Sequence, residues 1–264
     1  VMKKKDAFNL ATTGLLGIVL AYFLLLFLAQ IPYVRPDILL ESLQDKEIQF
    51  ALGLSLKTSL VSASLAVILG TPVAYLLSRR PFRGKILVDT VLDLPTGVSP
   101  IALGALLLIF FNQPVGLWIQ QHLIPVVFTP AGIIVAQTTI TLALAIRLIK
   151  AVFDSIDTHY ELTARLLGES SGGAFWRVTL PMARQGILSA FILSWARALG
   201  EFGATVTLAG ATKFKTETLP IAIYLNLASA NIEKAVVLIW ILLLVSFLVL
   251  LSLRYLDNER RAAF

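Results

Sequence analysis

Apolar runs of bilayer-crossing length recur along this whole chain, and they leave almost no room for a water-soluble fold. A helix needs about 20 mainly apolar residues to cross the hydrocarbon layer. Runs of that order lie at about 7–31, 51–77, 130–152, 185–208 and 235–256, and a sixth, from Ile86 to Phe111, is interrupted. Only 14% of the 264 residues are charged, against 57% hydrophobic, and mean hydropathy is +0.83. The expected fold is an all-α polytopic membrane protein with six transmembrane helices, one transmembrane domain over residues 1–264, without an internal repeat or a soluble domain. The first run follows Met2-Lys3-Lys4-Lys5 but continues past a signal-peptide core and lacks an A-x-A site, so it reads as a retained span.

Three places interrupt the apolar pattern. Gly70-Thr71-Pro72 predicts a kink in the second span. Asp93-Leu94-Pro95-Thr96-Gly97-Val98-Ser99-Pro100 predicts a broken third span, and such backbone persists at membrane depth only inside protein or along a watery cavity. Ala211 to Leu227 reads as a loop or partly re-entrant piece.

Six spans put both termini on one side. Lys3–Lys5, Arg79 to Lys85, Arg147 to Arg184 and Arg254 to Arg261 fall on that face, while Arg35, Lys46, Lys57, Lys213, Lys215 and Lys234 on the other are matched by Asp37, Glu41, Asp45, Glu47, Glu217 and Glu233. The lysine and arginine excess predicts that both termini are cytoplasmic, in a multi-pass protein of the cell membrane. The net charge of +6 needs no nucleic-acid partner, because no soluble basic face with aromatics exists to bind one. With no cysteine, and with His122 and His159 far apart, no metal site is expected.

On the cytoplasmic face lies the longest polar stretch, Tyr160 to Pro181 (YELTARLLGESSGGAFWRVTLP). Glu161 to Leu167 are helix formers that Gly168 can end with a positive φ. Glu169-Ser170-Ser171 can cap a second short helix running through Val178, which Leu180-Pro181 stops. The apolar residues Leu162, Leu166, Leu167, Phe175 and Trp176 either pack back onto the bundle, making a structural elbow, or enter a partner's groove, making a docking knob.

The fifth span carries charge at membrane depth. Ser194, Arg197, Glu201 and Thr205, spaced 3, 4 and 4 apart, predict one polar helix face, and Ala196, Gly200 and Ala204 an adjacent small-residue stripe. Arg197 and Glu201 at i,i+4 form either a structural ion pair or part of a pathway. Asp89 and Asp93 are expected to bridge the arginines near 79–83 or Arg147. Lys213 and Lys215, and the acids from Asp37 to Glu47, are either solvated loop or a contact surface. Gly84-Lys85 lacks the rest of a Walker A loop, and no catalytic constellation is present.

The spacing around Gly168 resembles the EAA motif of ABC importer permeases: nine residues after this glycine stand Val178-Thr179-Leu180-Pro181. The motif's Glu-Ala-Ala falls on Leu162-Thr163-Ala164, so the glutamate lies one place earlier, at Glu161. The stretch Ala196 to Thr205, Thr218 to Tyr224, Gly70 to Tyr75 with Arg80 to Gly84, and Asp93-Leu-Pro are similar to the molybdate permeases among the molybdate/tungstate/sulfate importers. The resemblance covers about residues 50–256 and implies a type I importer permease core with a cytoplasmic coupling segment at about 154–181. It further implies a homodimer of this chain, two cytosolic nucleotide-binding ATPase subunits that use ATP and Mg, and an extracytoplasmic oxyanion-binding protein. The chain itself would bind no cofactor. Tyr160, Glu161, Leu162, Thr163, Ala164, Gly168, Glu169, Ser170 and Phe175 would form the ATPase contact. By position, Thr96, Gly97, Ser99 and the Ser194, Arg197, Glu201, Thr205 face are the gate candidates. A sulfate or phosphate permease is the alternative within this class, and an ion-coupled secondary transporter centred on Glu201 the alternative from another.

Overall fold

The computed structural model describes residues 2–33 and 44–262, with side chains for 8–33 and 44–252. Arg35, Asp37 and Glu41 lie outside the described residues, and the charges of Lys3–Lys5 and of Arg254 to Arg261 outside the described side chains.

Twelve α-helices make up the described chain: α1 (Met2–Leu28), α2 (Lys46–Arg79), α3 (Lys85–Gly97), α4 (Pro100–Phe111), α5 (Pro114–His122), α6 (Pro130–Asp154), α7 (His159–Leu166), α8 (Ser171–Ala174), α9 (Leu180–Leu199), α10 (Gly203–Ala209), α11 (Leu219–Ala228) and α12 (Ile232–Ala262). Five of them carry proline in their first turn, where its missing N–H is no loss and its fixed φ suits the helix. Four helical segments cross by length and composition: Phe8–Tyr33, Lys46–Arg79, Pro130–Asp154 and Ile232–Ser252. Two further crossings are bent pairs, α3 with α4 at 110° and the run from Ser171 through α9 with α10 at 61°. The six expected spans are thus present if each bent pair counts as one.

Helices α2 and α6 form the central pair. Lipid gives no hydrophobic drive between helices, so close packing of small residues and internal hydrogen bonds must hold them. The buried face of α2 is built accordingly, from Ser55, Ser59, Ser62, Ala63, Ala66 and Ala74. Ser62 Oγ donates to Gln137 Oε1 on α6 at 3.1 Å, and Trp195 Nε1 on α9 donates to Ser59 Oγ at 3.0 Å. Ser55 Oγ accepts the Leu219 N–H at 2.7 Å, satisfying one of the unpaired amides that open α11. The end of α2 near Arg79 packs Leu77 with Ile149 and Phe153 of α6, and its other end packs Ile48 and Ala51 with Leu219 and Leu238. No residue of the first crossing window is buried by the rest of the described chain, and α1 touches α12 through Phe27 and Trp240, whose rings lie 6.4 Å apart.

Pro72 lies inside helix α2. Three expectations are corrected. The third-span interruption is narrower than Asp93 to Pro100: the helix carries Pro95, Thr96 and Gly97, and only Val98-Ser99 is extended. Leu180-Pro181 is no stop, because Ser171 through Leu199 is one continuous run. A π-helical turn at Phe175–Thr179 precedes the proline, and the Leu180 N–H reaches back five residues to the Phe175 carbonyl. That wider turn accommodates a ring that would otherwise collide with the preceding carbonyl. Finally, the Ser194–Thr205 face is not one helix face, because α9 ends at Leu199 and α10 starts at Gly203.

Candidate functional site

At the Arg79 end, the polar stretch folds into an elbow around one carboxylate. Helix α7 closes with Gly168 at φ 98°, the Glu169 N–H bonded to Ala164 O at 3.1 Å and the Gly168 N–H to Arg165 O at 3.1 Å. This is the paired Schellman closure, which glycine adopts without steric cost. The chain then restarts at Ser170, whose Oγ accepts the Gly173 N–H at 3.0 Å. Both ends thus follow the sequence expectation.

Glu161 is the hub. Its Oε1 accepts from Arg79 Nε at 2.8 Å and from Thr179 Oγ1 at 2.8 Å, and its Oε2 from Tyr75 OH at 2.9 Å. Arg79 also donates through Nη2 to Ile156 O at 3.0 Å. The two charged side chains are only 9% and 14% exposed. Burial pushes the Glu161 carboxyl upward, but Thr179, Tyr75 and Arg79 outweigh it and hold the group below the usual glutamate range. One carboxylate therefore ties α2, α7 and the π turn into a single unit. Ser78 adds a second tie from α2, donating to Asp154 Oδ1 at 2.6 Å.

The apolar residues of the elbow divide between the two readings. Phe175 packs inward, 4.6 Å from Tyr75 and 6.2 Å from Phe153 between ring centroids, and Ala164 is buried. Leu162 and Trp176 point outward with Tyr160 and Thr163, and Leu166 and Leu167 are 88% and 81% exposed. Glu169 pairs with Arg177 beside them.

The second candidate group lies where the two bent spans meet. Gly104 of α4 faces α10 so closely that a Cβ there would lie 2.8 Å from Ala204 Cα and 2.8 Å from Thr207 Cβ. A Cβ on Gly203 would lie 2.9 Å from Pro100 Cβ. The break at Val98-Ser99 and the break at 200–202 therefore touch. Ser99 caps α4, its Oγ accepting the Ala102 N–H at 3.3 Å, and it is exposed with Thr96 and Gly97. Across the break, Arg197 Nη1 donates to Glu201 Oε2 at 2.6 Å, while Glu201 Oε1 accepts the Ala204 N–H at 3.1 Å in the first turn of α10. Glu201 is 2% exposed and Arg197 38%, and the pair ties the end of α9 to the first turn of α10 across the bend. Ser194 and Thr205 are fully buried and away from any open surface. Asp93 reaches Arg147 on α6 at 2.6 Å, one of its two expected partners.

The opposite end of α2 holds charges that the sequence left as solvated loop or contact surface. Lys213 lies 2.6 Å from Glu47, and Lys234 lies 2.7 Å from Asp45 and 3.3 Å from Glu47. Among the described residues, no three His, Cys, Asp or Glu side chains gather as a metal site.

Sequence reasoning missed the role of Glu161 and its partners Tyr75, Arg79 and Thr179. The usable signal was Tyr75 and Arg79 at i,i+4, a donor pair in the last turns of α2.

The family description "binding-protein-dependent transport system inner membrane component" matches residues 65–262. A probable molybdenum ABC transporter permease of Haloferax volcanii is 36% identical over 85% of this chain and 81% of its own. The sulfate transport system permease CysW of Synechocystis is 34% identical over 74% and 72%, and the molybdenum permease ModB of Mycobacterium tuberculosis 36% over 77% and 78%. In three dimensions, a bacterial ABC transporter that imports the acidic polysaccharide alginate superposes with a TM-score of 0.76 over 95% of both chains at 16% identity, which shows a shared fold. The chain belongs to the binding-protein-dependent inner-membrane components: it is a multi-pass permease subunit of an ABC importer, and not an ATPase.

Proposed function

We propose that this permease imports an oxyanion, molybdate or tungstate first and sulfate or phosphate as the alternative. The observation that carries the reading is similarity at 34–36% identity to permeases named for molybdenum and for sulfate. The geometry is compatible with a path that passes an anion without trapping it, since the one arginine at the facing breaks, Arg197, is already engaged by Glu201. In this reading both termini and the segment at about 154–181 are cytoplasmic, and the chain works as a homodimer with two ATPase subunits and an extracytoplasmic binding protein. ATP binding closes the ATPase dimer, the elbows approach, and the Glu161 hub passes that movement to α2. The helices on either side of the two breaks then reorient, and hydrolysis resets the inward-facing state. Thr96, Gly97 and Ser99 at the exposed break are the proposed gate. The ion-coupled reading falls with the family assignment, and Glu201 is held as a brace.

Reconstitution with the ATPase and binding protein tests the substrate. Uptake of labelled molybdate should be ATP-dependent and suppressed by tungstate at far lower concentration than by sulfate or phosphate; the reverse order would make sulfate the substrate. A second expectation concerns docking. Leu166→Asp and Leu167→Asp change side chains that are largely exposed in the described chain, so the thermal midpoint should move by less than about 2 °C. Co-purification of the ATPase should fall at least ~10-fold if each loses on the order of 1.4 kcal/mol of interface energy. Retained co-purification would move the docking surface elsewhere.

A further inference from the structure

The carboxyl of Glu217 is fully buried, yet neither of its oxygens has a hydrogen-bond partner. It stands in the loop between α10 and α11, directly before Thr218, which occupies the N-cap position of α11. That loop is braced and cannot readily turn the side chain out to water. Thr216 Oγ1 accepts the Thr212 N–H at 3.0 Å and donates to Gly210 O at 3.3 Å, the Thr216 N–H bonds Thr212 O at 2.9 Å, and Phe214 packs on Phe50 of α2 with ring centroids 5.7 Å apart.

The ion pairs around it leave it out. From the start of α2 come its N-cap residue Asp45 and Glu47, with Lys46 exposed beside them; from the loop come Lys213 and the neighbouring Lys215; from α12 come Lys234 and the exposed Glu233; α11 contributes none. The two lysines that make ion pairs, Lys213 and Lys234, are spent on Asp45 and Glu47. Glu47 also sits in the first turn of α2, where the helix dipole favours an anion. Glu217 is left as a third, unpaired carboxylate against Glu47. Two such oxygens cannot bond unless a proton lies between them.

We propose that Glu217 is a proton-operated latch: protonated, it donates to the Glu47 carboxylate and fastens loop 210–218 to the start of α2 beside α12, and deprotonated, it repels Glu47 and releases the loop. The proton comes from and returns to solvent. Burial, then the charge of Glu47 beside it, push the Glu217 carboxyl up to about 7, against the pull of Lys213 and Lys234. Whether the latch faces outward rests on the orientation proposed above. If it does, the closed latch must open before the outer face can receive the anion.

The test uses the intact transporter with its ATPase and binding protein. A carboxyl raised in the folded state stabilises the protein relatively below its unfolded value, and that contribution is lost as pH rises through the folded value. The wild-type thermal midpoint should therefore fall as pH is raised through about 7, and that of Glu217→Gln should not. Glutamine keeps a donor for Glu47, so this variant should stay latched. Wild-type uptake should rise ~3-fold between about pH 6 and pH 8 outside the vesicle, while Glu217→Gln stays at the low-pH rate. If Glu217→Gln does not fold, Glu47→Gln must move the stability transition toward acid, because it removes the neighbouring charge. An unshifted transition in that variant, or identical pH profiles for wild type and Glu217→Gln, overturns the latch. A Glu217-dependent stability transition with uptake responding only to pH on the cytoplasmic side keeps the latch and overturns the orientation. Uptake that responds to pH on neither side overturns the latch.

Discussion

A Glu161→Ala variant is expected to lose about 3 kcal/mol of stability and nearly all ATP-driven uptake, because it strands the Arg79 guanidinium in a site built around its carboxylate. Arg79 would retain only its bond to the Ile156 carbonyl, while Tyr75 OH and Thr179 Oγ1 would lose their acceptor together. The loss would act on coupling, because the same carboxylate joins α2 to α7 and to the turn leading into α9. Glu161→Gln separates charge from connectivity. Its amide oxygen can still accept one or two of the three donors, so it should cost about 1–2 kcal/mol and leave measurable uptake. The checks are the thermal midpoint in detergent, ATPase co-purification and uptake per folded transporter. The acid side gives an independent readout. Since Glu161 sits below the ordinary glutamate range when folded, its contribution is present above that range and lost as pH falls below it. Wild type should lose stability there more steeply than Glu161→Gln. Equal uptake by Glu161→Ala and wild type would mean that the elbow is not the coupling element.

The elbow shows how far a sequence carries such a structure. Gly168 and Ser170 were legible because helix ends obey local rules: a positive φ needs glycine, and an exposed first turn needs a hydroxyl or carboxylate. The Asp93–Arg147 and Arg197–Glu201 pairs were legible because charge at membrane depth demands a partner. Glu161 was not legible as a hub. Its donors Tyr75 and Arg79 are 86 and 82 residues away, and only the packing of α2 against α6 and α9 brings them in. Judged by motif register alone, Glu161 stands one place out of position; judged by geometry, it is central. Leu180-Pro181 misled for a different reason. Proline breaks a helix interior but is welcome in a first turn, and the π turn before it lets one continuous run serve as both elbow and span. The polar face of the fifth span failed because 3.6-residue periodicity was carried across Gly200, where the helix ends.

A Gly104→Val substitution is expected to be comparably damaging, by overpacking. The Cβ position meets backbone Cα of Ala204 at 2.8 Å and its carbonyl oxygen at 2.9 Å, atoms that cannot rotate away, as well as Thr207 Cβ. Overpacking of a well-fitted core costs roughly 1–3 kcal/mol, and a contact against backbone belongs at the upper end of that range. Gly53→Ala is the control, since a Cβ there meets nothing within 4 Å and alanine favours the helix. Val at 104 should lower the thermal midpoint by on the order of 8 °C for a chain of this size, with Gly53→Ala at or above wild type. The functional effect should exceed the thermal one. The two bent spans meet at their breaks, so spreading α4 from α10 changes the angle through which both must move, and uptake per folded transporter should fall by more than ~10-fold. An unchanged thermal midpoint with lost uptake would assign the Gly104 contact to the moving states alone. Wild-type behaviour in both would mean that α4 and α10 separate freely, and the gate would then have to be sought away from the facing breaks.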